Sequence, residues 1–190
     1  MRRTLDVPLG PRIVVGGISG SGKTTLAKEL ARRIGGTHVE LDSLFHKENW
    51  APSTDEEFDA KITAALDAAG GAADGRWVVD GNYSRTRRLT WPHATTVVFL
   101  DYPFGFATLR TIRRTARRLR NPEPLWNGNR ETWSNLFDAG HPIWWSMTKW
   151  RQNRRKYLAL MNDPAWAHLD VVHVRRPAEL RRWLQYAARP

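Results

Sequence analysis

Gly17-Ile18-Ser19-Gly20-Ser21-Gly22-Lys23-Thr24 sets three glycines, a lysine and a threonine at the spacing G-x-x-x-x-G-K-[ST]. Backbone N–H groups can close round a phosphate only where no Cβ blocks the approach, and the glycines keep that approach open. Lys23 adds a point charge for the outer phosphates, and Thr24 offers a hydroxyl to Mg²⁺. Gly17, Ser19, Gly20, Ser21, Gly22, Lys23, Thr24 and Thr25 are therefore the candidate ligands of a nucleoside triphosphate. A helix starting at Lys23 would aim its positive end at the same anion.

Two acidic residues and several arginines stand at positions where they could complete a reaction centre. Asp80 ends the apolar run Trp77-Val78-Val79 and precedes Gly81-Asn82-Tyr83-Ser84-Arg85. Beside a bound triphosphate its carboxylate can hold Mg²⁺ or the metal's waters; it can equally cap the turn that follows. Asp42 opens Asp42-Ser43-Leu44-Phe45-His46-Lys47 and can either take a proton from an acceptor hydroxyl or cap its turn. Phe45, His46 and Trp50 follow closely and could wall an aromatic or apolar pocket, although core packing is the default role for each one singly. Arg85 would lie in the loop above the sheet, where it can hold an anionic group of an acceptor or simply be a surface arginine; Arg87 and Arg88 are weaker versions of the same idea and fit a solvated role better.

Arg110, Arg113, Arg114, Arg117 and Arg118 recur at three- and four-residue steps on one helical segment. So dense a stripe repels itself unless water or anions surround it. It can be a solvated face, a lid that neutralises phosphate charge, or a surface for nucleic-acid backbone. Arg151, Arg154, Arg155 and Lys156 form a second basic cluster with the same three readings.

The elements that must carry these residues are legible as an alternation of strands and helices. Ile13-Val14-Val15 is a short β-branched run before the loop, and Leu26, Leu30 and Ile34 give the following helix one apolar face. Gly35-Gly36 stops that helix. Further strands are expected at His38–Asp42, Arg76–Asp80, Thr95–Asp101 and Val171–Val174. Helices are expected over Thr54–Ala69 and Phe104–Leu119, from Pro177 onward, and roughly over Glu131–Met161 with a break near Gly140-His141-Pro142. Short apolar strands separated by helices predict an α/β, three-layer fold: a five-stranded parallel sheet flanked by helices on both faces. Its ligands should gather at the carboxyl ends of the strands.

The 190 residues suffice for a single domain, with an acceptor-side segment at about 43–75 and an Arg-rich lid region at about 110–135. With no cysteine, disulfides, thiol catalysis and cysteine-based zinc sites are excluded. No apolar run is long enough to span a bilayer, and the first residues lack the apolar core of a signal peptide, so a cytoplasmic protein is expected. The net charge of +11 favours anionic partners. Most of the ten tryptophans are expected in the core, with one or two lining a pocket.

Taken together these residues resemble the nucleoside monophosphate kinase superfamily. Val78-Val79-Asp80-Gly81 with Arg85 is similar to the L-D-G-F-P-R segment of adenylate kinases, with one residue inserted before the arginine. Asp101-Tyr102-Pro103 followed by Arg110 and Arg114 resembles the D-x-P stretch and lid-entrance arginines of the same family. Asp42-Ser43-Leu44-Phe45 looks more like the D-S-F-Y stretch of uridine kinase relatives. Over nearly the whole chain the resemblance is to small bacterial adenylate kinase-related P-loop proteins, a group labelled DNA topology modulation proteins.

That resemblance implies strand order 2-3-1-4-5 and an ATP- and Mg²⁺-dependent transfer of the γ-phosphate to a small-molecule acceptor. Lys23, Asp42 and Arg114 would be catalytic. Arg110, Arg175 and Pro177 would flank the donor nucleotide. Asp42, Phe45, Trp50, Asp80 and Arg85 would receive the acceptor, and Thr24 and Asp80 would serve the metal. The rival class is a nucleic-acid-binding P-loop ATPase affecting DNA topology or expression, motivated by the charge and the arginine stripes.

Overall fold

The structure, a computed structural model, describes residues 6–121, 123–137 and 142–187. The strands are β1 (Arg12–Gly17), β2 (Thr37–Glu40), β3 (Trp77–Asp80), β4 (Thr96–Leu100) and β5 (Asp170–Val174). The helices are α1 (Lys23–Ile34), α2 (Leu41–Phe45), α3 (Asp55–Ala68), α4 (Arg87–Thr90), α5 (Phe104–Arg120), α6 (Pro142–Leu160) and α7 (Pro177–Tyr186). All strand pairs are parallel, in the order β2-β3-β1-β4-β5. This is the three-layer α/β architecture expected from the alternation of apolar runs and amphipathic segments.

Alternation within the strands builds a core on each face of the sheet. Ile13 and Val15 point to one side and pack with Val78, Val98, Val172, α1 (Leu26, Leu30) and Trp183 of α7. Val14 points to the other, with Val79, Val97, Phe99, α3 (Phe58, Ile62, Leu66) and Tyr157 of α6. A strand covered on both faces needs apolar residues at successive positions, which is why these runs do not alternate with polar residues.

Several boundaries differ from the sequence reading. The second strand ends at Glu40, and Asp42 lies in the first turn of the short helix α2. Glu131–Trp133 are not helical: a 3-10 turn covers Ser134–Phe137 and α6 begins at Pro142. Most of the anticipated break near Gly140-His141-Pro142 lies outside the described residues. The tryptophans are also less central than expected. Among the described side chains Trp77, Trp91 and Trp183 are buried, and Trp166 packs against the core. Trp133 and Trp144 are exposed.

Candidate active site

The loop from Gly17 to Gly22 turns at the carboxyl end of the central strand β1 and runs straight into α1. Gly22 at the helix start has φ 90°, in the left-handed region that glycine adopts without cost. Gly20 is required for a different reason: α5 passes so close that a Cβ there would collide with the Ala107 carbonyl oxygen and the Thr111 hydroxyl. Asn82, just beyond β3, fixes the loop from the side. Its Oδ1 accepts from the Gly17 N–H at 3.3 Å, and its Nδ2 donates to the Gly17 carbonyl.

Lys23 folds its ammonium under the loop and donates to the Ile18 carbonyl at 3.1 Å. Burial lowers its pKa, and nearby Arg114 acts in the same direction; the carboxylates of Asp42, Asp80 and Glu40 oppose both. Thr24 Oγ1 donates to Asp80 Oδ2 at 2.7 Å and lies 3.3 Å from Glu40 Oε1. Asp80 is 3% exposed, and its other oxygen meets His38 Nε2 at 2.7 Å. Parallel pairing of β2 with β3 sets Glu40 opposite Asp80, so both carboxylates reach the threonine. The oxygen-only set of Thr24, Asp80 and Glu40 has the donor chemistry that Mg²⁺ takes.

A cleft of about 1410 Å³ opens above this cluster. All five arginines of the α5 stripe, from Arg110 to Arg118, line it. Arg114 and Arg118 are half-buried there, whereas Arg110, Arg113 and Arg117 are exposed. Arg114 donates through Nη2 to Ser19 Oγ at 3.1 Å, while its buried Nε has no partner. Burial first, then the neighbouring Arg118, lowers its pKa. Arg118 is paired with Glu131 at 2.9 Å. Asp42 lines the opposite wall, where its Oδ1 accepts from the Tyr83 hydroxyl at 2.8 Å. Burial and this carboxylate together push the Tyr83 phenol well above its ordinary pKa, so it stays a donor.

The structure thus brings Ser19, Gly20, Gly22, Lys23, Thr24, Thr25, Asp42, Trp50, Arg110 and Arg114 around one cleft, with Asp80 beneath it; Gly17 and the buried Ser21, whose hydroxyl donates to the Ile18 carbonyl, do not line it. Four further expected residues are placed elsewhere. Arg85 does not line the cleft; it is held by Asp59 of α3 at 2.7 Å and also by Asp55. Two carboxylates on the helix neutralise the guanidinium before any ligand arrives. Phe45 packs edge-on against Phe58 at 5.2 Å, in the core rather than the pocket. Arg175 and Pro177 follow β5 without lining the cleft, and the Arg175 N–H is taken by Glu179.

The sequence reading also missed site residues: His38 on Asp80, Asn82 on the loop, Tyr83 on Asp42, and Trp126 and Glu131 from the segment after α5. Asn82 and Tyr83 stood in a stretch already singled out. Nothing in the local sequence marks His38, whose role depends on strand pairing.

The sheet order, the glycine loop between a central strand and a helix, and the lysine–threonine pair beneath it define a P-loop nucleoside-triphosphate-binding protein of the kinase-type fold. The family model for the AAA domain matches residues 13–133, and the chain belongs to that family. No curated protein matches the chain by sequence. Among solved structures, the chain is similar to shikimate kinase from Acinetobacter baumannii in complex with shikimate, with 19% identity and a TM-score of 0.52. That match covers 92% of this chain and 89% of the other. A gluconokinase from Sinorhizobium meliloti 1021 matches with 22% identity and a TM-score of 0.48 over 96% and 94% of the two chains. At such identities the likeness is one of fold.

Proposed function

We propose that the protein is an ATP- and Mg²⁺-dependent phosphotransferase acting on a hydroxyl of a small-molecule acceptor. The observation that carries the reading is the convergence of Lys23, Thr24, Asp42 and Arg114 on one cleft while Arg85 is neutralised by Asp55 and Asp59. The cation expected to hold a phosphate acceptor, Arg85, is taken by Asp55 and Asp59; a hydroxyl acceptor needs a base. Asp42 supplies the base. The Tyr83 bond occupies one of its oxygens and fixes the carboxylate, leaving the other for the acceptor's O–H.

In this reading the P-loop amides and Lys23 hold the triphosphate, and Arg110 and Arg114 cover it. Thr24, with Asp80 and Glu40 behind it, would hold Mg²⁺, which supplies charge neutralisation at the phosphate oxygens. The acceptor oxygen forms a bond to the γ-phosphorus as the bond to the β–γ bridging oxygen breaks; Asp42 takes the acceptor's proton and ADP leaves. The kinase fold of shikimate kinase supports the reaction class and does not name the acceptor.

The test is ADP release from ATP against a panel of small alcohols, sugars and phosphorylated compounds, with Lys23→Ala as the inactive control. Asp42→Asn is expected to lower turnover by at least about 100-fold with nucleotide affinity within about twofold of wild type. Unchanged turnover in Asp42→Asn, or acceptors confined to phosphates, would overturn the reading.

A further inference from the structure

Beyond the phosphate-binding end, the cleft closes on three rings that come from two separate stretches of chain. His46 and Trp50 belong to the loop after α2, and Trp126 to the segment after α5. His46 and Trp126 are stacked, with centroids 6.1 Å apart and planes 15° from parallel. Trp50 stands edge-on to both, at 5.4 Å and 6.3 Å. All three line the same cleft as Asp42.

The assembly is held in a costly backbone. Trp50 has φ 59°, an unfavourable region for a bulky side chain, and Asn49 and Asn127 are also left-handed. Asparagines from the segment after α5 staple the two stretches together. Buried Asn129 accepts from the Trp50 backbone N–H at 2.8 Å and donates to the Lys47 carbonyl at 2.8 Å. Asn127 Nδ2 donates to the Ser43 and His46 carbonyls. The Trp50 indole N–H is spent on the Arg130 carbonyl at 3.2 Å, which leaves that ring only an apolar face to present.

Polar valence is left over on two residues that line the same cleft. Glu131 is 7% exposed and its Oε2 is buried with no partner; His46 Nδ1 is likewise buried and unpartnered. A buried carboxylate oxygen without a donor is costly unless a ligand supplies one. Charge decides between the two ligand types an aromatic box can take. Seven lysines and arginines line the cleft against three carboxylates, a surplus that opposes a cationic ligand.

Resting on the kinase reading above, we infer that the acceptor is an uncharged or anionic alcohol built on a planar unsaturated ring. The ring packs against Trp50 and Trp126, and an N–H or O–H on its edge meets Glu131 Oε2. Trp126 is then the residue that selects ring-bearing acceptors from saturated polyols.

The experiment follows the tryptophan indole N–H signals by ¹H–¹⁵N NMR with saturating Mg²⁺ and a non-hydrolysable ATP analogue present. Ring probes (2-phenylethanol, 3-hydroxymethylpyridine, thymidine) are titrated against saturated controls (glycerol, D-glucose, myo-inositol). At least one ring probe is expected to move the Trp50 and Trp126 signals, and the polyols to move neither. Trp126→Ala is expected to weaken that probe by about tenfold, Trp126→Phe to restore most of the affinity, and the nucleotide's affinity to stay within about twofold in both. Polyols that bind here in preference to rings, no response to any ring probe, or ring affinity indifferent to Trp126→Ala would overturn the inference with the kinase reading intact. Failure of the ATP analogue to bind would instead remove the kinase reading itself.

Discussion

Lys23 carries two opposed demands. In the proposed phosphotransferase, catalysis wants its positive charge beside phosphate, whereas folding wants that charge in water. In the free protein it donates to the Ile18 carbonyl, with burial and the nearby Arg114 lowering its pKa. A cation whose native pKa lies below its unfolded value works against folding wherever the unfolded chain binds the extra proton. Stability therefore rises with pH between the lowered value and about 10.4. Replacing Lys23 with methionine keeps most of the packing and removes the buried charge. The expected outcome is a nucleotide-free melting temperature at or above wild type, with binding of Mg²⁺ and a non-hydrolysable ATP analogue lost. A clear fall in the melting temperature without nucleotide would show that the ammonium stabilises the loop instead. The place of Lys23 at the foot of the loop was readable from the sequence because it depends on immediate neighbours. The ion pairs of Arg85 were not, because Asp55 and Asp59 lie on a helix whose packing no local pattern reports.

At the scale of elements, two contacts fix how helices meet the sheet. The α3 start is a capping box in which Thr54 accepts from the Glu57 N–H at 3.2 Å and Glu57 returns to the Thr54 N–H at 2.8 Å. Thr54→Ala should cost about 1 kcal/mol, read as a lower denaturation midpoint with an unchanged m-value. The second contact ties α6 to the β4–β5 edge: Asp101, just past β4, accepts from Arg154 Nε at 2.8 Å and pairs with His173 Nε2 at 2.8 Å. Burial raises the Asp101 pKa, but His173 and Arg154 together outweigh it and hold the carboxyl below its ordinary value. The sign is that of a depressed acid: its contribution is fully present above about pH 4 and is lost as pH falls through the native value. Asp101→Ala should cost about 2 kcal/mol at pH 7, and the deficit should shrink in acid as the wild-type carboxyl is protonated. A deficit that stays constant from pH 7 down into the acid range would remove the ion-pair account. A helix starting at Thr54 was legible; the return of Glu57 to the Thr54 N–H is seen only in the structure. The Asp101–Arg154 pair spans 53 residues and depends on where α6 packs, and the Asp101–His173 pair became visible only when β5 was seen beside β4.

The whole molecule distributes its charge unevenly, and that distribution bears on the net +11. Five arginines of α5 line the cleft, Arg114 and Arg118 half-buried and the other three exposed, so part of the basic excess is gathered at one site. The sheet order was anticipated only through the resemblance to adenylate kinase-related proteins, which implied 2-3-1-4-5; the residues themselves showed a parallel sheet and no order. The asparagine staple that closes the cleft was not legible, because Asn127 and Asn129 work on backbone more than 75 residues away in sequence. A triphosphate here would bridge the loop, α5 and the carboxylates beneath β3, elements that in its absence repel or leave Arg114 Nε unpaired. Binding only the folded state, a ligand at about 100 times its dissociation constant stabilises by about 2.7 kcal/mol. For a chain of this size that is a rise of roughly 5–10 °C in melting temperature. The rise should vanish in Lys23→Met. It should survive at full size in Thr54→Ala, whose baseline is lower but whose cap lies outside the cleft, since distant perturbations add. Loss of the rise in Thr54→Ala as well would mean that nucleotide stabilises the chain through the α3 side of the molecule, and the division of labour between the loop and the opposite wall would fail.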